Sequence, residues 1–318
     1  MDRLELLRRW DERRNQSALA APAQWLDWRI HKKLAKWTGR ARKRQANLFW
    51  GQPMTIVYPE NVSNRIGRHG YFEDDVTAMF LDVLRPGMVI YDIGSHYGFF
   101  SLLASEIVGA TGQVLAWEPT PSTFALLSEN ADRRENITAV NLAAFSCTGS
   151  LRFLQQDVRD SSLNFVVHES ESVDCPGAHV ITVPAVALDD YVTEHPEPDF
   201  LKIDAEGAEG QILEGMIEII KRSHPGISLE MGDRVNEKTG NRPCRENVEF
   251  LMDHGYQPFE YRNRQRHAHQ IETRYQYKNL LFRHPQWRFM ESGSAAQAPC
   301  QQHSSETDHQ PTGFAQPR

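Results

Sequence analysis

Residues Val89-Ile90-Tyr91-Asp92-Ile93-Gly94-Ser95-His96-Tyr97-Gly98 decide the fold. The first five make a short apolar run that ends on glycine, the pattern of a strand buried on both faces. Gly94 and Gly98 permit a tight strand-to-helix turn, and Phe99 through Val108 follow with helical spacing and stop at Gly109. Working outward, residues 114–117 are a second strand closed by Glu118-Pro119, residues 124–131 are helical, and residues 137–145 are a third strand. Residues 200–203 make a fourth strand, residues 211–221 a helix, and residues 227–229 a fifth strand. Strands that alternate with helices need crossover connections, which implies an α/β fold with a doubly wound, Rossmann-like sheet, mostly parallel. Residues 256–261 and 279–282 have no helix of usual length between them, and they predict an antiparallel hairpin at the sheet edge.

The chain has 318 residues, 40% hydrophobic and 24% charged, which suits an ordinary globular core. No run of about 18 apolar residues occurs, and the N-terminus shows no signal-peptide pattern. The four cysteines (Cys147, Cys175, Cys244 and Cys300) are scattered, so a reduced, cytoplasmic chain without structural zinc is expected. The net charge of −7 conceals an asymmetry. Residues 1–50 hold 13 Lys/Arg against 5 Asp/Glu and five of the seven tryptophans, while the remainder is acidic. An acidic body is a poor match for phosphate backbones, so no nucleic-acid partner is expected. The expected organisation is a basic, Trp-rich helical arm over residues 1–50, the main domain over 51–290, and a disordered tail over 291–318. In the arm, Leu26, Ile30, Leu34 and Trp37 share one helical face, with Lys32, Lys33 and Lys36 around it. Such a helix either docks on a membrane surface or a partner protein, or packs on the main domain with its charges solvated.

Ligands of doubly wound sheets bind outside the carboxyl ends of the strands, so those ends carry the chemistry. The Asp92–Gly98 turn is the first. The second is Glu118, 24 residues beyond Gly94, where a carboxylate can accept both hydroxyls of a ribose. Together they point to a nucleoside-containing cofactor. A dinucleotide site wants a second glycine where this chain has His96, which argues against a nicotinamide-dependent oxidoreductase. The third segment, Leu201-Lys202-Ile203-Asp204-Ala205-Glu206-Gly207-Ala208-Glu209, sets three carboxylates within six residues at a strand end, and Glu230 adds a fourth after the next strand. A helix N-terminus stabilised by acids accounts for Glu206 or Glu209 singly, and less well for Asp204.

With these segments in view, the chain resembles the FkbM-type family of class I S-adenosylmethionine-dependent methyltransferases. The resemblance runs through Asp92–Gly98 with Ser101-Leu102, Trp117-Glu118-Pro119-Thr120-Pro121, Asn130, Leu188-Asp189-Asp190, Lys202–Glu209, Leu213-Glu214-Gly215 and Leu229-Glu230. Ser95-His96 departs from the Ala-Asn common there. The resemblance implies a methyltransferase sheet, S-adenosylmethionine as cofactor, and methyl transfer to a hydroxyl of a sugar, a glycan or another small secondary metabolite. A catalytically silent S-adenosylmethionine-binding scaffold is the alternative.

An alcohol is a weak nucleophile, so a base must take its proton as the bond forms. Asp204 or Glu206 is expected in that role, with Lys202 and Glu230 shaping the pocket and His96 as a further candidate. Asp92, Gly94, Ser95, His96, Gly98, Glu118, Pro119 and Asp204 are expected around the cofactor. Trp117 would border the adenine, and Ala143 and Ala144 would leave room for the purine. Tyr71 and Glu73 either close over the methionine end or mark only the start of a surface helix. Asp204, Glu206 and Glu230 can also hold Mg²⁺, a less favoured expectation. The acceptor is expected near residues 155–180, which include Asp160-Ser161-Ser162 and the polar run 168–172. The Arg- and His-bearing loop 262–278 either reads an anionic acceptor or is merely solvated.

Overall fold

The computed structural model describes residues 1–15, 22–167, 178–239 and 241–289. The expected tail and the polar run 168–172 lie outside the described residues. Two helices open the chain, α1 (Arg3–Asn15) and α2 (Pro22–Thr38), followed by an antiparallel hairpin of β1 (Arg42–Asn47) and β2 (Pro53–Tyr58). Helices α3 (Asn61–His69) and α4 (Asp74–Val83) lead into β3 (Val89–Ile93), α5 (Phe99–Val108), β4 (Gln113–Trp117), α6 (Pro121–Ala131) and β5 (Ile137–Val140). Then come β6 (Ala143–Phe145), β7 (Gly149–Gln155), β8 (Phe165–Val166), β9 (His179–Ala187) and α7 (Leu188–Tyr191). The chain continues through β10 (Phe200–Ile203), α8 (Glu209–Glu214), α9 (Ile217–Ser223), β11 (Gly226–Met231), α10 (Asp233–Thr239) and α11 (Cys244–Asp253). Strands β12 (Gln257–Arg262), β13 (Gln265–Ala268) and β14 (Lys278–Arg283) complete the fold.

The main sheet has eight strands in the order β13-β12-β14-β11-β10-β3-β4-β5. The five strands from β11 to β5 run parallel, and β14 is antiparallel to β11. Alternation along each strand feeds two cores. Ile90, Val114 and Phe200 join α4 and α5 on one face, while Tyr91, Leu115 and Leu201 join α8, α9 and α11 on the other. The fold is therefore α/β, with a mainly parallel sheet covered on both faces.

Within the expected main domain, the structure departs from the expected elements in three places. The expected third strand splits: β5 stays in the main sheet, and β6 enters a second sheet of order β6-β9-β7-β8. The expected helix 211–221 breaks into α8 and α9 at Gly215, where an added Cβ would lie 2.0 Å from the Phe145 carbonyl oxygen. Strands β12 and β14 do pair antiparallel, but β14 inserts beside β11 and a further strand, β13, forms the edge.

Residue 50, the expected domain boundary, falls in the connection between β1 and β2, and residues 42–47 are strand rather than helix. Strand β1 buries little beyond Ala46, and its conformation follows from pairing with the apolar β2. Helix α1 is part of the core. Leu6 and Trp10 are fully buried in the cluster that holds Ile56, Met79 and Phe99, and Trp50 lies 5.8 Å from Phe99 between ring centroids. Arg9 Nη1 donates to the Trp50 carbonyl at 3.0 Å, and Arg13 Nε donates to the His69 carbonyl at 2.8 Å. Among the described residues no helix is long and apolar enough to cross a membrane.

Because Trp10 is a core residue, Trp10→Ala is expected to destabilise the whole domain by about 3–5 kcal/mol. Urea denaturation followed by circular dichroism measures this, and an unchanged midpoint would mean that α1 is a detachable arm.

Candidate active site

The carboxyl ends of β3, β4, β10 and β11 open onto a cavity of about 520 Å³, walled by α3 and by the 3₁₀ turn Val158–Leu163. That volume suits a drug-sized ligand. The Gly94 turn forms its floor. Gly94 has φ 76°, its N–H donates to the Trp117 carbonyl at 3.1 Å, and an added Cβ would sit 1.8 Å from the Asp204 carbonyl oxygen. The bare backbone there admits the protein's own Asp204 loop, and Gly94 also lines the cavity. His96 adopts φ 50°, stacks on Tyr97 at 3.8 Å and shares a hydrogen bond with Ser161 Oγ at 3.0 Å. Burial pushes its pKa down to about 3, so the imidazole is neutral and a weak proton acceptor.

Lys202 lies at the centre of the acid cluster. Only 3% exposed, its Nζ donates to Asp204 Oδ2 at 2.8 Å and stands 3.9 Å from Asp92 Oδ1. Burial disfavours the ammonium, yet Asp204 and Asp92 more than offset this and raise its pKa. Asp92 is fully buried, accepts from Ser101 Oγ at 2.5 Å and leaves Oδ1 without a hydrogen-bond partner. Burial raises its pKa against the pull of Lys202. Burial also works against ionised Asp204, but Lys202 and a hydrogen bond from Glu230 overcome it and lower its pKa.

The neighbouring acids behave in the opposite way. Burial and the Asp204 charge push Glu206 up to about 9, and raise Glu230 well above its ordinary range. One carboxylate oxygen each of Asp204, Glu206 and Glu230 lies within 4.8 Å of the others, so the three side chains do converge as a cation site requires. Glu206 has φ 49°, which turns its side chain into the cavity. Glu209 has a structural task instead: its Oε1 accepts from the N–H groups of Ala205 at 2.9 Å and Gly207 at 3.2 Å.

Glu118 is 7% exposed on the cavity wall, and its Oε1 accepts from the Thr120 N–H at 2.9 Å. Burial pushes its pKa up to about 7. Pro119, Trp117, Ala143 and Ala144 line the cavity beside it.

Of the remaining candidates, Glu73 and Ser95 line the cavity, whereas Tyr71, Asp92 and Gly98 do not. Tyr71 packs instead beside His69, 5.7 Å between ring centroids. Gly98 backs onto Leu127, and Asp92 lies behind the wall as a partner of Lys202. Ser161 and Ser162 reach the cavity, while Asp160 is held by Asn61 Nδ2 at 3.0 Å. In the loop 262–278, Arg264 pairs with Asp11, Arg266 with Asp82 at 3.0 Å and Arg274 with Glu237 at 2.8 Å. These cations serve intramolecular pairs. Two cavity residues have no signal in the local sequence. Tyr277 donates its hydroxyl to Glu73, and Arg65 enters from α3.

Comparison with known proteins identifies the family. Residues 92–258 match the model of the methyltransferase FkbM domain. The chain is 27% identical over 152 residues to hexuronic acid methyltransferase AglP of Haloferax volcanii, covering 47% of this chain and 58% of that protein. It is 30% identical over 161 residues to 31-O-demethyl-FK506 methyltransferase FkbM of Streptomyces tacrolimicus, covering 42% of this chain and 61% of that one. The alignments thus span about three-fifths of the length of these curated relatives. A crystal structure of methyltransferase FkbM from Methylobacillus flagellatus aligns at 14% identity and a TM-score of 0.41, over 70% of this chain and 52% of the other.

The raised Glu118 pKa has a consequence for stability. The folded protein holds this proton more tightly than the unfolded chain, whose value is near 4.5, so stability falls as pH rises from 4.5 and the loss is complete above about 7. Without ligand, Glu118→Gln is expected to melt several degrees above the parent at pH 8 and close to it at pH 5. Equal melting temperatures at both pH values would show that Glu118 is not desolvated.

Proposed function

Because the chain belongs to the FkbM methyltransferase family, we propose that it transfers a methyl group from S-adenosylmethionine to a hydroxyl of a sugar or another small acceptor. One observation carries this reading: the Gly94 turn, Glu118 and the Asp204–Glu206–Glu230 cluster all border a single cavity. The residues fit the cofactor. Glu118 would accept the ribose hydroxyls, and Ala143 and Ala144 leave space beside it for the purine. Glu73 Oε2, a buried oxygen without a hydrogen-bond partner, suits the methionine ammonium. When bound, S-adenosylmethionine supplies an electrophilic methyl group on a sulfonium.

Much of the acceleration then comes from positioning, and the chain's remaining task is to take one proton from the acceptor hydroxyl. Asp204 is a poor choice, since Lys202 and Glu230 hold it as a stabilised anion. Glu206 makes no hydrogen bond among the described residues and has a pKa of about 9, so it ionises more readily once a cation enters the cavity. We assign Glu206 as the base and Asp204 as the fixed negative charge. Arg65, whose guanidinium lies 5.9 Å from the Phe72 ring centroid, gives the cavity a cation suited to an acidic sugar. This accords with a relative that methylates a hexuronic acid.

Calorimetric titration with S-adenosylmethionine and S-adenosylhomocysteine, with NAD as control, is expected to give micromolar binding of the sulfur compounds only. Glu118→Ala should weaken it at least tenfold. No binding of either compound would sink the cofactor assignment, and binding without turnover on any glycan or small acceptor would favour a silent scaffold.

Glu206→Gln is expected to lower kcat by roughly 10²–10⁴-fold with cofactor affinity intact, and kcat/KM of the parent should rise with pH toward about 9. Near-normal turnover of Glu206→Gln, with Asp204→Asn inactive, would move the base to Asp204. Activity is expected to survive EDTA, because Lys202 already supplies a cation to the cluster. Loss on chelation, restored by Mg²⁺, would assign the three acids to a metal.

A further inference from the structure

Helix α2 has an inner and an outer face of different character. Inward, Ala35 is 1% exposed and Trp28 packs against the core, with the Arg68 guanidinium 5.1 Å from its ring centroid. Outward, Leu26 is 52% exposed, Ile30 44% and Trp37 84%. At 100° per residue these three fall within about 40° of one another, a single stripe along the helix. Arg29, Lys33 and Lys36 are exposed along one flank of it. Neither lysine has an ion-pair partner among the described residues.

The charge around this stripe is one-sided. Residues 22–44 hold eight Lys/Arg and a single acid, Asp27, which is already paired with Arg44. The chain as a whole carries a net −7, and Arg29, Lys33 and Lys36 are the cations that flank the exposed stripe. Large apolar side chains held in water beside unpaired cations mark an interaction surface. A helix with tryptophan and leucine on one face, lysine and arginine beside it, and not long and apolar enough to span suits a bilayer interface with acidic headgroups. A protein partner is less well matched. Three apolar side chains on one helix fall well short of the roughly 800 Å² per partner of a stable interface.

We propose that the outer face of α2 docks on an anionic lipid surface, inserting Leu26, Ile30 and Trp37 while Arg29, Lys33 and Lys36 contact acidic headgroups. Helix α2 packs on α3, and α3 contributes Asn61, Val62 and Arg65 to the cavity wall. Docking would therefore bring the cavity within one helix layer of the membrane. The inference stands on the exposure and charge of α2 and does not rest on the methyl-transfer reading.

The test is flotation of the full chain with vesicles of phosphatidylcholine alone and with one-third phosphatidylglycerol. Binding is expected only to the mixed vesicles and should weaken steeply between 0.1 and 0.5 M NaCl. The Debye length falls to a few ångströms over roughly this range. The double variant Ile30→Ala/Trp37→Ala and the double variant Lys33→Glu/Lys36→Glu should each reduce the bound fraction at least tenfold. Their melting temperatures should stay at the parent value, since all four side chains face solvent. Absence of binding to the mixed vesicles overturns the proposal, as does binding that both double variants retain. Concentration-dependent self-association in light scattering, lost in Ile30→Ala/Trp37→Ala and unaccompanied by vesicle binding, would overturn it in favour of a protein interface.

Discussion

The buried ammonium of Lys202 governs the electrostatics of the site. It lies on the central strand β10, opposite Asp92 of β3 in register, and it reaches Asp204 at the end of its own strand. Several carboxylates cannot all ionise in so small a desolvated volume. One fixed cation divides them unequally. Asp204 receives the ion pair and stays charged, while Glu206 and Glu230, left to burial and to Asp204's own charge, retain their protons. The dependence is mutual, because Asp204, Asp92 and Glu73 keep the ammonium protonated despite its burial. An acid–base contrast between adjacent carboxyls therefore follows from a single lysine on the middle strand.

The backbone around this cluster is fixed by contacts that leave no room for side chains. Gly94 admits the Asp204 carbonyl, and Gly215 admits that of Phe145. Asn130, fully buried, accepts from the Thr55 N–H at 2.8 Å and donates to the Thr55 and Tyr97 carbonyls at 2.9 Å each, joining β2 to the Gly94 turn. Asp189 accepts from the N–H groups of Glu218 and Ile219, both at 3.0 Å, and so satisfies donors at the start of α9. The motif residues thus divide by task. Asn130, Asp189, Glu209 and Gly215 hold the loops, while Glu118, Asp204, Glu206 and Glu230 face the cavity.

Local pattern made the five parallel strands and helix α5 legible, since a buried apolar run followed by glycine and a helical repeat has few other readings. Glu118 and the Asp204 loop were legible because strand ends of such sheets are where ligands meet bare backbone and charge. What escaped is non-local. Residues 137–145 look like one strand, yet the chain changes sheets between Val140 and Ala143, which only the pairing of β6 with β9 reveals. Composition made residues 1–50 a separate arm, but hydrophobicity alone cannot tell a tryptophan facing solvent from one facing a core. Trp10 proves fully buried and Trp37 largely exposed. Tyr71 and Glu73 are two residues apart, and the positive φ at Glu73 sends only the second into the cavity. Tyr277 joins Glu73 from 204 residues away, a distance over which no periodicity speaks.

The family match begins at residue 92 and ends at residue 258, and the cavity does not respect those limits. Met54, Asn61, Val62, Arg65, Glu73 and Tyr277 all lie outside the matched segment yet line the same space. The matched segment supplies the Gly94 turn, Glu118 and the acid cluster. The unmatched segments supply the opposite wall, where a guanidinium and an amide face the cavity. Strand β2, α3 and the residue before β14 therefore complete the cavity, on a scaffold that α1 closes by burying Leu6 and Trp10 in the common core. The cavity is thus a joint product of matched and unmatched segments, since Ser161 and Ser162 reach the same space as Arg65 and Tyr277.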